Sequence, residues 1–446
     1  MNVETTFKLA IQHHQAGRLA DAEALYRQVL AARPDFVSAY NNLGSILTQR
    51  EAFDEAVELL AKATNLKPDF SGAWYNLAMA LDKLGQYERS IAAYRKTIAL
   101  DPNYSDAVNN LANVLQSARR LEESVIAHRQ AVAMRPDFAW AHWNLGLALL
   151  AQGDYAHGWP EFEWRLQVNE PGHPRPNFTQ PRWDGSPLHG KRILLWTEQG
   201  YGDMMQFVRY VSIVLERGGK PILYCPDNLV RLFRRVPGVE NVIDRAGPLP
   251  EFDVECPLMS LPLAVGTTPA TILAKIPYLT GDPEMWRDRL AGCRGLKVGL
   301  VWSGRAMPDP RRTVPFAELA PLAKVPGITW ISLQRREADQ PHPPPPPGME
   351  LIDWTNELGD FADTAALIHH LDLVVSIDTA VVHLAGAMGK TVFALLPFAP
   401  DWRWMLNESR TPWYPEMRLF RQPEFGDWKT PIRQIAGILA DKITST

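Results

Sequence analysis

Pro34-Asp35-Phe36, Pro68-Asp69-Phe70, Pro102-Asn103-Tyr104 and Pro136-Asp137-Phe138 recur at a spacing of 34 residues. That length holds two helices and a turn, closed by a proline that lacks the N–H needed to continue the second helix. Between these marks, large and small residues fall in phase. The second period carries Tyr40, Leu43, Gly44, Leu47, Ala56 and Leu60, and the third carries Trp74, Leu77, Ala78, Leu81, Ser90 and Tyr94. The fourth has Val108, Leu111, Ala112, Leu115, Ser124 and Ala131. Small residues let paired helices approach, and large ones fill the space between them. A fifth period opens at His142, Leu145, Gly146 and Leu149 and loses the pattern at Gly158-Trp159-Pro160. One such hairpin cannot bury its apolar face alone, so the prediction is a stacked helical array.

The pattern is that of tetratricopeptide repeats, about 4.5 of them over residues 1–165. Residues 166–190 hold Pro171, Pro174, Pro176, Pro181 and Pro187 and read as an extended connector. Beyond it, short apolar runs alternate with helical stretches. Strands are expected at Arg192–Trp196, Pro221–Cys225 and Val242–Ile243, with helices at Asp203–Arg217 and Leu229–Val236. A second series has strands at Lys297–Trp302, Ile328–Leu333, Leu371–Ile377 and Thr391–Leu396, with helices at Phe316–Lys324, Phe361–His369 and Thr379–Met388. Such alternation argues for parallel sheets covered on both faces. The expected class is therefore α + α/β, a helical solenoid followed by two Rossmann-like domains at 191–295 and 296–446. The run Pro341–Pro347 reads as a surface polyproline loop.

Composition narrows the function. With 46% hydrophobic and 22% charged residues among 446, the chain is no disordered scaffold. A net charge of −4 offers no basic excess for a phosphate backbone, so no nucleic-acid partner is expected. Cys225, Cys256 and Cys293 form no C-x-x-C pair and suit a reducing cytoplasm. No apolar stretch reaches about 18 residues, so no membrane span is expected.

Several short motifs sit where strands end. Gly200-Tyr201-Gly202-Asp203 follows a strand and opens a helix, but Met205 stands where a dinucleotide fingerprint needs a third glycine. Gly389-Lys390-Thr391 leads from helix into strand, the reverse of a P-loop. Asp378-Thr379 ends an apolar strand and starts a helix, with His383 one turn further on. An aspartate there caps helix donors, or those donors and the helix dipole face a bound anion. Arg311-Arg312-Thr313 offers a guanidinium for a diphosphate. In the repeats, Asn42, Asn76, Asn110 and Asn144 share one position, 34 residues apart. A carboxamide both donates and accepts, so such a ladder suits an extended peptide backbone; it also suits packing between repeats.

The segment from Asp360 to Gly389, including Ser376-Ile377-Asp378-Thr379 and His383, resembles heptosyltransferase-type, family 9-like glycosyltransferases. The continuation Asp401-Trp402-Arg403-Trp404, Trp413-Tyr414-Pro415 and Leu419-Phe420-Arg421-Gln422 resembles the branch fused to tetratricopeptide repeats. The resemblance implies a GT-B fold, with the donor nucleotide on the C-terminal domain and the acceptor toward the N-terminal one. It implies Asp378, Thr379 and His383 as donor-site residues, Arg312 for the donor phosphates, and Ser303 and Gly304 in the phosphate-facing loop. Gln334 is a candidate for the ribose. Asp203 matches the catalytic aspartate, with Glu198 in reserve, and Gly200 and Gly202 leave room for an acceptor. Ala380 and Arg312 depart from the family's usual glycine and lysine. The asparagine ladder resembles that of repeat-containing O-GlcNAc transferases.

The expectation is a cytoplasmic protein O-glycosyltransferase, inverting and metal-independent, using a nucleotide-sugar as co-substrate and no cofactor. The acceptor is a protein held by the repeats, with flagellin implied by the resemblance. Transfer to a lipid-linked or polysaccharide sugar, and a catalytically silent scaffold, are the competing readings. UDP-sugars, ADP-heptose and CMP-linked nonulosonic acids all fit the sequence.

Overall fold

The computed structural model describes residues 2–168, 176, 178–273, 275–304, 310–335 and 344–444. Part of the proline-rich connector, 169–175 and 177, and residues 341–343 of the polyproline run lie outside the described residues. The chain divides into two compact units, residues 1–149 and 150–446.

The first unit is a row of helices: Val3–Gln15, Leu19–Ala32, Val37–Gln49, Phe53–Leu66, Ser71–Lys83, Tyr87–Leu100, Ser105–Ser117, Leu121–Met134 and the start of Ala139–Gln152. The small positions of the repeat are small for a measurable reason. A Cβ on Gly44 would stand 2.4 Å from Cγ of Leu60, which is fully buried. The serines of the repeat tie paired helices together, Ser90 Oγ donating to the Ala78 carbonyl at 2.7 Å and Ser124 Oγ to that of Ala112 at 2.8 Å. The turns share the period too. Gly17, Glu51, Gly85, Arg119 and Gly153 all have positive φ, each at the end of the first helix of a pair. The chain reverses there through one left-handed residue, the conformation glycine adopts most cheaply.

The second unit holds two sheets. The first has strands β1 (Arg192–Trp196), β2 (Lys220–Cys225), β3 (Asn241–Asp244) and β4 (Val254–Pro257), in the order β3-β2-β1-β4 and all parallel. The second has β5 (Leu296–Val301), β6 (Ile328–Ser332), β7 (Leu351–Ile352), β8 (Leu373–Ile377), β9 (Val392–Leu396), β10 (Arg410–Thr411) and β11 (Tyr414–Arg421). Their order is β10-β11-β9-β8-β5-β6-β7, parallel except at β10. In each sheet the first strand lies between the two strands toward which the chain next moves in opposite directions. These are switch points, where ligands meet the carboxyl ends of strands. The residues just past the repeats also belong to this unit: Trp159 Nε1 donates to the Thr267 carbonyl at 2.9 Å, and its ring packs edge-on against Phe207 and Trp402.

Strands β4, β7, β10 and β11 and the helix Lys429–Thr444 go beyond the expected elements. Strand β4 reads Val-Glu-Cys-Pro, and its charge hid it; Glu255 is nonetheless buried, accepting from Trp196 Nε1 at 2.6 Å. The expected helix Asp203–Arg217 is broken into Tyr201–Phe207, a short turn and Val211–Glu216. Arg209 sits in the break and donates to the carbonyls of Gln206, Leu273 and Trp413.

One core position of the repeats makes stability depend on pH. His128 occupies the place of Tyr26, Leu60 and Tyr94 in earlier periods. The Tyr26 hydroxyl accepts from Asn42, whereas neither ring nitrogen of the fully buried His128 has a partner among the described residues. Burial pushes its pKa down to about 3 from an ordinary 6.5. The unfolded chain therefore binds more protons between these values, and stability falls as pH drops below 6.5. That contribution amounts to about 2 kcal/mol lost between pH 7 and pH 5. Urea titrations of the full chain should show the His128→Leu variant losing correspondingly less over the same range.

Candidate functional site

The residues expected to face a donor gather at the carboxyl ends of three neighbouring strands: Ser303 and Gly304 after β5, Gln334 after β6, Asp378 and Thr379 after β8. Arg312 lies over Gly304, where a Cβ would stand 2.8 Å from its Nε, and its Nη1 donates to the Asp378 carbonyl at 3.2 Å. Thr379 caps the helix Ala380–Ala387 by position, but its hydroxyl does not bond the helix amides. The positive end of that helix is thus not covered by its own cap. Two expectations change. The amides of Trp302 and Ser303 donate to Gln334 Oε1 at 3.2 and 2.9 Å, and that of Gly304 donates to Thr313 Oγ1 at 3.4 Å. The Ser303–Gly304 amides are held by side chains, and Gln334 braces this loop.

Asp203 comes from the first sheet, on the helix Tyr201–Phe207, which packs against Ala380–Ala387 of the second. One carboxylate oxygen accepts from the Gly200 amide at 3.0 Å and closes the helix start; the other is paired with Arg403. Arg403 is buried and donates through Nη1 to Asp401 at 2.8 Å. His383 lies against the same junction. Its Nε2 is 3.7 Å from Asp378 Oδ1, its Nδ1 is 3.0 Å from the Tyr414 hydroxyl, and its ring lies beside Trp404. Gly202 has a different role from the expected one. A Cβ there would fall 2.6 Å from Cδ2 of His383, so this glycine permits a close helix contact rather than holding space for an acceptor. A Cβ on Gly200 would meet Asp203 Oδ2 at 3.1 Å.

Two carboxylates, Asp203 and Asp401, thus bond one guanidinium, and a third, Asp378, acts on it electrostatically. Burial works against charge on Arg403, but Asp401 and Asp203 hold its pKa above the usual value. Burial alone would raise Asp378; His383, the Trp404 indole and Arg403 keep it below the usual carboxylate range. Asp401 is raised, by burial first and by its neighbours Asp378 and Asp203, against the pull of Arg403. A second buried cation, Arg209, sits 4.8 Å from the Tyr414 ring and bonds neutral acceptors, adding positive field behind His383.

Glu198, the reserve base, lies elsewhere in a closed network. It accepts from Arg165 Nη2 at 2.6 Å, and Arg165 also donates to Glu163 at 2.6 Å and to Ser260 at 2.8 Å. The Arg165 side chain is only 1% exposed, so Glu198 is held by a fully desolvated cation. Arg165 and Arg403, like Arg209, Asp401 and Glu163, are charged residues to which the sequence reading gave no role. The signal for Arg403 was its place between two tryptophans, an odd setting for a solvated cation.

The asparagine ladder belongs to the first unit and is partly engaged. Asn76 donates to Asn41 at 2.8 Å, Asn110 to Tyr75 at 2.8 Å and Asn144 to Asn109 at 3.3 Å, each reaching 35 residues back. Asn42 donates to Tyr26 at 3.1 Å. One N–H of each amide therefore ties the array together. All four stay half-buried.

Comparison with known proteins agrees with this layout. Residues 359–411 match glycosyltransferase family 9 (heptosyltransferase), a span that includes Asp378, Thr379, His383, Asp401 and Arg403. Residues 7–73, 71–104, 93–125 and 139–157 match tetratricopeptide-repeat families. The chain is 29% identical over 321 residues to protein FlbA of Caulobacter vibrioides, covering 66% of this chain and 54% of that protein. It thus spans about half the length of that relative. Among solved structures, MamA is 25% identical over 35% of this chain and 92% of its own, with a TM-score of 0.34. YrrB, described as a TPR protein with an unusual peptide-binding site, is 18% identical over 38% of this chain and 88% of its own, with a TM-score of 0.34. The chain joins tetratricopeptide repeats to a glycosyltransferase family 9 region.

Proposed function

We propose that the chain is a protein O-glycosyltransferase of GT-B type, moving a sugar from a nucleotide-sugar to a protein bound by its repeats. The observation that carries this reading is the pairing of two half-sites. Arg312 and the uncapped amino end of Ala380–Ala387 stand at the switch point of one sheet, and Asp203 stands on the helix packed against it from the other. A helix amino end and an arginine are suited to a diphosphate without a metal. In the transfer, the acceptor hydroxyl gives its proton to the Asp203 carboxylate as its oxygen bonds to the anomeric carbon. The bond from that carbon to the donor phosphate breaks on the opposite face, and its electron pair leaves with the nucleotide, which inverts the centre. Negative charge grows on the phosphate, where Arg312 is placed to stabilise it.

The acceptor is proposed to lie along the repeats, meeting the half-buried carboxamides of Asn76, Asn110 and their equivalents. Flagellin is the first acceptor to test, on sequence resemblance alone. A cytoplasmic location is proposed with it, in keeping with three free cysteines. The silent-scaffold reading has one observation in its favour: Asp203 is engaged at both oxygens.

Release of free nucleotide from UDP-, GDP-, CMP- and ADP-linked sugars, followed with and without acceptor, separates these readings. The enzyme reading expects turnover of one donor, and a drop of about 10²–10⁴-fold in Asp203→Asn. No turnover of any donor would favour the scaffold. A second expectation concerns the repeats. The double variant Asn76→Ala/Asn110→Ala should lower modification of an intact protein acceptor and leave donor hydrolysis unchanged. Equal loss of both would place these residues outside acceptor binding.

A further inference from the structure

Asp203 poses a problem for its own proposed role. One of its oxygens accepts from a backbone amide and the other from a buried guanidinium, so an acceptor hydroxyl would have to share an oxygen already in use. We infer that Arg403 is a positioning residue that releases Asp203 in exchange for the donor's phosphates, so that donor binding is the event that frees the base. The inference rests on the glycosyltransferase reading above.

The exchange follows from how Arg403 is held. Its backbone is fixed: its N–H donates to Asp401 Oδ1 at 3.0 Å and its carbonyl accepts from Thr411 Oγ1 at 3.0 Å. The flanking indoles are fixed as well, Trp402 against Tyr155, Trp159 and Trp413, and Trp404 against His383. What is left to turn is the end of the arginine side chain, about its own χ angles. Its Nε–H is buried and has no acceptor among the described residues, so the guanidinium keeps an unused donor. It also interacts electrostatically with Asp378, at the head of the helix proposed to receive the diphosphate.

Charge gives the exchange its direction. Three carboxylates acting on one guanidinium leave an excess of negative charge beside a site proposed for an anion. A diphosphate arriving there competes with Asp203 for the same cation and presents several oxygens to a planar, forked donor. Taking Arg403 places the cation on the leaving group, where charge develops, and frees the Asp203 oxygen that it held. Asp401 retains the backbone bond to Arg403 and anchors the pivot.

Calorimetric titration of the full chain with UDP, GDP, ADP and CDP tests the exchange. With whichever nucleotide binds, Asp203→Asn should tighten affinity by about 3- to 10-fold, because Arg403 no longer has to leave a charged partner. Arg403→Gln should weaken it by about 10-fold or more, with Arg403→Lys in between. The double variant should match Arg403→Gln alone. Asp401→Asn, which also frees part of the guanidinium, should shift affinity the same way as Asp203→Asn and guards against one variant misfolding. A merely structural arginine would not give one sign when it is replaced and the opposite sign when its carboxylate partners are. Weakening by Asp203→Asn and Asp401→Asn, or a gain from Asp203→Asn that persists without Arg403, would overturn the exchange. If the wild-type chain binds none of the four nucleotides, the exchange fails; if it also turns over no sugar donor, the glycosyltransferase reading fails with it. Wild-type binding with the wrong signs defeats the exchange alone.

Discussion

A buried guanidinium pairs across the two sheets of the second unit at the point where both present the carboxyl ends of their strands. Arg403 comes from the segment after β9 and Asp203 from the turn after β1, and the pair closes over the contact between Gly202 and His383. Burying such a pair brings little net stability, because desolvation offsets most of the attraction. Losing one partner costs far more, since the other is left charged and unpaired. The arrangement therefore ties the packing of the two halves to the ionisation of a few side chains. It also makes any incoming anion a competitor for the bond that holds them.

The parts of the fold that repeat or alternate were legible from the residues. The 34-residue period placed the helical pairs, and the same small positions that revealed it, such as Gly44 against Leu60, are where helices touch. Strands β1, β2, β5, β6, β8 and β9 are buried and apolar, and they declare themselves as such. Strand β4 did not, because Glu255 interrupts its run and its burial is compensated by Trp196, a partner distant in sequence. Likewise the break after Phe207 follows from what Arg209 meets in other segments, carbonyls that no local pattern reveals.

Of the candidate site, the sequence indicated which residues would gather but not what they would touch. Asp378, Thr379 and the Ser303–Gly304 loop lie at neighbouring strand ends, as their positions after apolar runs suggested, and Arg312 reaches them from the turn before Phe316. Gln334 holds the loop through backbone amides, and Gly202 is a glycine because of the His383 ring; both facts depend on long-range geometry. Charge pairing was the least visible of all. Arg165 and Glu198 are 33 residues apart and Arg403 and Asp203 are 200 apart, and sequence alone holds no signal linking them. The asparagine ladder shows a related ambiguity. Its period was plain, and its bonds to the preceding repeat show that these side chains tie the array together.

The central claim is that a donor diphosphate and Asp203 share one cation. A crystal structure of the full chain with a bound nucleoside diphosphate, UDP first, examines it most directly. The account predicts the diphosphate at the amino end of Ala380–Ala387, near Arg312, with the Arg403 guanidinium turned from Asp203 onto a phosphate oxygen. A diphosphate bound elsewhere, or seated there with the Arg403–Asp203 pair intact, would contradict it.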